Sequence, residues 1–450
     1  MPDFLLTVPE TTIDIYSDGF QGNDALHRAP LGKKLSQLVE KVSEPMVVAV
    51  NAPWGAGKSV FLKRWVGAHT LENEGTATTV YFDAFKNDYL DDPLISLIAE
   101  VSDRLDSLSD TEEVSQLKSG IDKAKKYAPA IGRGVIKVGL ALATAGIVRG
   151  IEDLEESLAD DLANATSGEL GATINKFWKA EESRRDAMDF FRQSLKEAAT
   201  SERKLVIVVD ELDRCRPDYA LELLEIAKHL FDVPNVHFVL GVNLRELGNS
   251  VQARYGSGVS SHKYLQKFIT VAMPLSSTGG STGMASIQQH FRNVSISMGI
   301  QSYWKVGWID KYLAWIDRHA ELTLRDVEKI ATLAVVAPEP RSETDTILHL
   351  YTGLLILQVA RPDLVDRART GTLYFEDFVR VIDFADKPGD SNPKYLPHVI
   401  WRTATWNQRT TTSTPNYIEN ARGNYFPGAE PREVLRQIIS ETLDVFNPLF

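Results

Sequence analysis

MVVAVNAPWGAGKS, residues 46–59, is followed directly by VFLKRWVGA at 60–68. The first six residues have the length and β-branched content of a buried strand. The segment after Ser59 has a helical pattern, and two glycines stand between. This order of strand, glycine loop and helix suits phosphate. Backbone N–H groups at a helix N-terminus face the anion, a lysine reaches the β- and γ-phosphates, and a hydroxyl holds Mg²⁺. Gly55 and Gly57 supply backbone freedom, Lys58 the cation and Ser59 the hydroxyl. The candidate binding set is Ala52, Pro53, Trp54, Gly55, Ala56, Gly57, Lys58, Ser59 and Val60. In the pattern G-x-x-x-x-G-K-[ST] the first glycine is replaced here by Ala52, which adds little bulk, and the loop is expected to survive.

Outward from this stretch, four further apolar runs read as strands: TTVYFDAF (78–85), KLVIVVD (204–210), NVHFVLGVN (235–243) and KFITVAMPL (267–275). Helical patterns fill the intervals, which predicts an α/β fold with a parallel sheet. Strands buried on both faces are continuously apolar instead of alternating. The third run ends in acids, in KLVIVVDELDRCRPDY. A carboxylate at a buried strand tip can hold the hydration shell of Mg²⁺, and its neighbour can orient and deprotonate water. Asp210 suits the first role and Glu211 the second, with Asp213 as the alternative base. Asn243 ends the fourth run and would sit beside these acids if the two strands are neighbours, where it can sense the γ-phosphate or position water.

About 120 residues separate the second and third strands, far more than one crossover helix requires, so an insertion lies there. It contains Val135 to Val148, an almost wholly apolar run of 14 residues interrupted by Lys137. A helical membrane span needs about 20 apolar residues. A small-residue helix packed within the insert is the first reading, with membrane association through 135–148 as the alternative. After Leu275 a Gly/Ser/Thr stretch leads into helical patterns at 283–298, 305–318, 324–336, 345–360 and 373–384, a helical lid. The expected divisions are 1–91 and 201–277 for the two parts of the core, 92–200 for the insertion, 283–385 for the lid and 386–450 for a C-terminal module of unknown role.

In the lid, Thr323 and Asp326 stand at capping-box spacing and place Arg325 in the first turn of a helix. An arginine there can reach nucleotide phosphates from the second domain. Arg341 is a weaker candidate for the same task, and Arg254 a candidate finger for a neighbouring subunit. Trp401, Trp406 and Tyr417 with Arg402 and Arg409 read as core aromatics, with a stacking surface for nucleic acid as the alternative. The chain of 450 residues carries 49 basic and 61 acidic side chains, a net charge of −12 that argues against a nucleic-acid coat or motor. Cys215 is the single cysteine and cannot form an internal disulfide. The N-terminal residues lack the basic start and apolar run of a secretory signal, so the cytoplasm is the expected compartment, with peripheral or inner-membrane association as the alternative.

Together these residues resemble the KAP P-loop NTPases. The resemblance rests on WGAGKS at 54–59, FDAFK at 82–86 with DDPLI at 91–95, DELDRC at 210–215, FDVPNVHFVLGVN at 231–243, YLQKFI at 264–269 and LTLRDVEKI at 322–330. It covers about residues 30–385 and implies an additional-strand ATPase core with sheet order 5-1-4-3-2, and a helical lid carrying an arginine sensor. Three positions depart from the pattern: Ala52 for glycine, Phe85 for tryptophan and Glu211 for a second aspartate. The family's pair of membrane-spanning helices would fall in the insertion, where this chain has only the short run at 135–148. Bacterial members imply a role in phage exclusion.

The expected function is therefore Mg²⁺-dependent ATP binding and hydrolysis, used as a switch or assembly engine. Lys58, Ser59 and Asp210 would bind Mg-ATP, Glu211 would activate water, and Asn243 and Arg325 would assist. The expected partners are further copies of this chain or another protein of the same defence system. The rival expectation is a nucleotide-gated scaffold with negligible turnover that recruits a partner protein or a membrane.

Overall fold

The computed structural model of the chain describes residues 5–8, 12–22, 24–90, 92–108, 184–197, 199–200, 203–230, 232–275, 283–300, 303–316, 322–342, 344–383, 395–406 and 416–445. The run at 135–148 and most of the expected insertion lie outside them. Among the described residues, no helix is long and apolar enough to cross a membrane.

Five parallel strands form one sheet: β1 (Met46–Asn51), β2 (Thr78–Asp83), β3 (Leu205–Asp210), β4 (Val236–Val242) and β5 (Val271–Pro274). Their order is β2-β3-β4-β1-β5, which read from the other edge is the expected 5-1-4-3-2. Successive strand residues point to opposite faces, and both faces are covered. Val47, Ala49, Ile207, Val209, Phe238 and Leu240 belong to one core. Val48, Val50, Val206, Val208 and Val239 belong to the other. Helices α1 (Ala29–Lys41) and α2 (Lys58–Leu71) close the second face with Leu35, Val39, Phe61, Leu62 and Trp65. The first face is closed by α3 (Pro93–Asp106), α4 (184–197), α5 (Pro217–Leu230) and α6 (Leu244–Tyr255). The continuous apolar runs are thus explained by burial on both sides.

Beyond the sheet, α7 (Gly283–Ser297), α8 (Tyr303–Leu313), α9 (Leu324–Val336), α10 (Asp345–Ala360), α11 (Pro362–Thr370), α12 (Tyr395–Ala404), α13 (Asn416–Tyr425) and α14 (Pro431–Ile438) follow. A third core holds most of them together. The axis of this half is α10, whose buried residues run around its whole circumference, as a helix apolar on every side requires. Ile400, Trp401, Phe426, Leu435 and Ile438 enter that same core. The described residues beyond 386, expected as a module, therefore pack as a continuation of the lid.

Several elements differ in extent from their sequence reading: the second strand stops at Asp83, where a helical turn over Ala84–Asn87 begins, and two others differ more. The fifth strand is four residues long and largely exposed, not the whole of 267–275. Among the described residues its only strand neighbour is β1, and the preceding residues are taken up by a turn in which the Phe268 and Ile269 N–H groups donate to the Leu265 carbonyl. Within 373–384 only Phe375–Phe378 is helical. The chain then turns so that Ile382 bridges Ile316 antiparallel, with the Asp383 N–H donating to the Trp315 carbonyl at 2.6 Å.

Candidate functional site

The loop between β1 and α2 owes its shape to two residues with positive φ, Gly55 at 79° and Gly57 at 77°. Space imposes glycine as well. A Cβ on Gly55 would lie 2.7 Å from Arg325 Cβ and 2.8 Å from Thr323 Oγ1, and one on Gly57 would lie 3.0 Å from an Arg28 nitrogen. Alternating backbone conformations of this kind turn successive N–H groups into an anion-binding concavity. Ala52 is buried at the end of β1 and its N–H donates to the Val242 carbonyl at 3.2 Å, so the departure from glycine leaves the loop intact. Lys58 is buried, and its Nζ donates to the carbonyls of Ala52 (2.9 Å) and Pro53 (3.4 Å). Burial lowers its pKa, while Asp213 and Asp210 nearby oppose that shift.

Asp210 ends β3 in register with Gly241 of β4 and Asp83 of β2. Glycine at 241 makes room for it, since a Cβ there would stand 2.4 Å from Asp210 Oδ1. The carboxylate is fully buried, accepting from Tyr81 Oη at 2.7 Å and from the Glu211 N–H at 2.9 Å. Burial raises its pKa to about 6, against the hydrogen bonds from Tyr81 and Ser59. Glu211 follows in left-handed backbone, φ 58°, a conformation that non-glycine residues keep chiefly where surrounding structure imposes it. Its Oε1 accepts from Ser59 Oγ at 3.1 Å and pairs with Arg214 Nη1 at 3.1 Å. Ser59, Asp210 and Glu211 thus form a set of hard oxygen donors next to the loop. Mg²⁺ is commonly held by one or two such protein oxygens together with substrate phosphates. No group of three or more His, Cys, Asp or Glu side chains suited to a metal occurs among the described residues.

The lid closes over the loop. Thr323 and Asp326 form the expected capping box at the start of α9, and the Arg325 N–H donates to the Gly55 carbonyl at 3.3 Å. Arg325 itself is exposed on the cavity side. That cavity, 710 Å³ in volume, is lined by Gly55, Gly57, Lys58, Ser59, Val60, Glu211, Asp213 and Arg325 at the phosphate end. Phe20, Ala25, Leu26 and Val294 give it an apolar flank. The sheet's loops, the N-terminal segment and the lid helices α7 and α9 all contribute to its wall.

The remaining candidates fall in different places. Asn243 ends β4 beside β3, but its Oδ1 caps α6 by accepting from the Arg245 N–H at 3.2 Å, and it does not line the cavity. Arg254 is exposed in the last turn of α6. Arg341 pairs with Glu441 at 3.3 Å and is likewise absent from the cavity wall, so it does not share the position of Arg325. Trp401 is wholly buried and stacked on Phe378 at 3.8 Å, a core aromatic as expected. Cys215 is buried, and burial raises its pKa further above neutrality, which leaves it a packing residue.

Two contributors, Tyr81 and Arg28, were not apparent from the chain alone, nor was the partner of Trp54. Trp54 Nε1 donates to Asp213 Oδ2 at 2.6 Å, tying the phosphate loop to the acidic loop. Tyr81 orients Asp210 from β2, and only the strand pairing brings them together. Arg28 is buried at the N-cap of α1 with its guanidinium on the loop carbonyls of Ala56 and Gly57. Burial pulls its pKa down to about 10 against the pull of Asp24, so it is a cation at neutral pH.

The model of the KAP family P-loop domain matches residues 28–338. No curated protein matches the chain. Among solved structures, Cdc6p from Pyrobaculum aerophilum is similar at 13% identity and a TM-score of 0.35, over 96% of this chain and 98% of that one. ORC2 of Aeropyrum pernix, solved as ADPNP–ADP complexes, is similar at 10% identity and a TM-score of 0.35, over 92% of this chain and 94% of that one. A Walker-type ATPase of Pyrococcus abyssi is similar at 13% identity and a TM-score of 0.32, over 93% of this chain and 98% of that one.

Proposed function

The chain belongs to the KAP family of P-loop NTPases, and on that premise we propose that it is a Mg²⁺-dependent ATPase acting as a molecular switch or assembly engine. Bacterial anti-phage defence is the setting the family resemblance implies. The observation that carries the reading is that one cavity is walled by Lys58, Ser59, Glu211 and Arg325, contributed by three separate parts of the chain. Ser59 and Asp210 would hold the magnesium, which when bound neutralises phosphate charge. Lys58 binds the β- and γ-phosphates, and the N–H groups of the glycine loop take the remaining oxygens. Glu211 orients the attacking water and accepts its proton, with Asp213 as the second carboxylate in reach of the site. Arg325 places a cation from the lid at the same wall, so hydrolysis and lid position are coupled. The apolar flank of Phe20, Ala25, Leu26 and Val294 suits the base of the nucleotide.

A second reading has its own support: Glu211 Oε1 is already engaged by both Ser59 and Arg214, as expected of a nucleotide-gated scaffold with negligible turnover that recruits a partner protein or a membrane. Steady-state Mg-ATP hydrolysis against protein concentration, for the native chain and for Glu211→Gln, separates the two. The ATPase reading expects native specific activity to rise with concentration, and the variant to bind ATP while its kcat drops by about 10²- to 10⁴-fold. Binding by both proteins with turnover by neither would replace it with the scaffold.

A further inference from the structure

Resting on the nucleotide-binding reading, we infer that Arg28 is a positioning residue for the phosphate loop, a strut that holds the loop's curl through its carbonyls. The guanidinium forks across two successive carbonyls, donating to Ala56 O at 2.7 Å and to Gly57 O at 3.0 Å. These carbonyls belong to the stretch whose alternating backbone turns its N–H groups to one side, which leaves the carbonyls for the other. An anion-binding loop needs its N–H groups aligned before the anion arrives, because every misaligned donor lowers the electrostatic return of binding. A cation that grips the opposite ends of the same peptide units supplies that alignment.

The strut is itself anchored. The Arg28 N–H donates to Asp24 Oδ1 at 2.7 Å and the Ala29 N–H to Asp24 Oδ2 at 2.8 Å, so one carboxylate fixes the turn from which the arginine extends. Asp24 and Arg28 both line the cavity, and Arg28 is only 7% exposed. Fit is close at the far end too, where a Cβ on Gly57 would lie 3.0 Å from the guanidinium. A lysine carries one point charge and lacks the planar fork that serves two oxygens at fixed separation. The turn at 24–28 and the phosphate loop are therefore one mechanical unit, although 28 residues separate Arg28 from Ala56.

The test is calorimetric titration of native protein, Arg28→Ala and Arg28→Lys with ADP and with a non-hydrolysable ATP analogue, at a temperature where circular dichroism shows each protein folded. Losing the fork is expected to weaken both nucleotides by the same factor, about tenfold or more, in line with the worth of charge-assisted hydrogen bonds. In turnover assays KM should rise by that factor while kcat stays within about threefold of native. Should Arg28→Ala fail to fold, Arg28→Lys carries the test alone. Unchanged affinities in the variants, with native binding intact, overturn the strut and leave the nucleotide reading standing. A loss confined to the ATP analogue also overturns it, placing Arg28 on the terminal phosphate instead. Absence of binding by the native chain would remove the nucleotide reading, and the strut with it.

Discussion

In the sheet, Asp210 is fully buried one residue before Glu211, which lines the cavity; it accepts from Tyr81 and from the Glu211 N–H, and burial raises its pKa to about 6. In the helical half, Tyr312 is just as buried, accepts from Trp401 Nε1 at 3.1 Å and donates to the His349 carbonyl at 3.0 Å. His349 beside it is pushed down to about 3, by burial first and Lys311 second. Both regions bury polar groups with partners, as folded interiors must. Only the first lies next to a residue of the cavity wall, Glu211, and to the glycine loop. The second faces a core of Leu, Ile and Trp side chains. The two networks thus differ not in burial but in whether the fold opens space beside them.

Trp401→Ala offers the largest test of that contrast. Removing a wholly buried indole stacked on Phe378 should destabilise the helical half by about 4 kcal/mol. A urea melt reads that loss, while nucleotide affinity of the still-folded protein stays near native. A nucleotide-binding defect as large as the stability defect would break the distinction between the regions.

The two buried titrating groups should then respond to pH with opposite sign. For Asp210 the folded pKa of about 6 lies above the ordinary 3.8, so the folded state holds its proton more tightly, and stability is lost as pH rises from about 4 through 6. Asp210→Asn, which carries no charge to bury, should gain about 3 kcal/mol over native at pH 7.5, fading to nothing near pH 4. For His349 the folded pKa of about 3 lies below the ordinary 6.5, so stability is complete above pH 6.5 and is lost as pH falls toward 3. At pH 5 the loss relative to His349→Leu should be about 2 kcal/mol, read as the change in slow amide exchange of α10 between pH 7.5 and 5. His237, buried in β4 and lowered to about 4, is common to both proteins and cancels. Parallel pH trends in the two variants would show that burial alone does not govern these groups.

The smallest expected effect lies at the joint between the regions. Thr323→Ala removes one half of the capping box at the start of α9 and should cost about 1 kcal/mol. Because the Arg325 N–H rests on the Gly55 carbonyl, protease sensitivity of the lid should rise together with that loss. A loss of stability with no change at the lid would show that capping serves α9 alone.

Much of this architecture is legible in the chain before any coordinates. Strand β1 runs over the residues its apolar pattern marks, and the glycines at 55 and 57 carry the positive φ that the phosphate-loop pattern demands. Thr323 and Asp326 cap the helix that their spacing announces. These features are local, because strand burial, loop curvature and capping depend on residue type within a few positions. At Asn243 local reading found the strand end, and the structure adds that the side-chain oxygen caps the helix that follows.

The groups that hold the site in shape answer to a different scale. Asp210 meets Tyr81 across 129 residues, Trp54 meets Asp213 across 159, and Arg28 reaches the loop across 28. No periodicity encodes these pairs, since each arises only once strands from distant segments lie side by side and a helix cap faces a loop. The lid's registration on Gly55, and the continuation of its core through the described residues at 395–406 and 416–443, are of the same kind. The chain itself therefore specified which residues form the glycine loop, the acidic strand end and the capped lid helix, through local backbone and side-chain preferences. Long-range packing chose their partners, their burial and their charge, because those quantities belong to contacts between segments and not to any one of them.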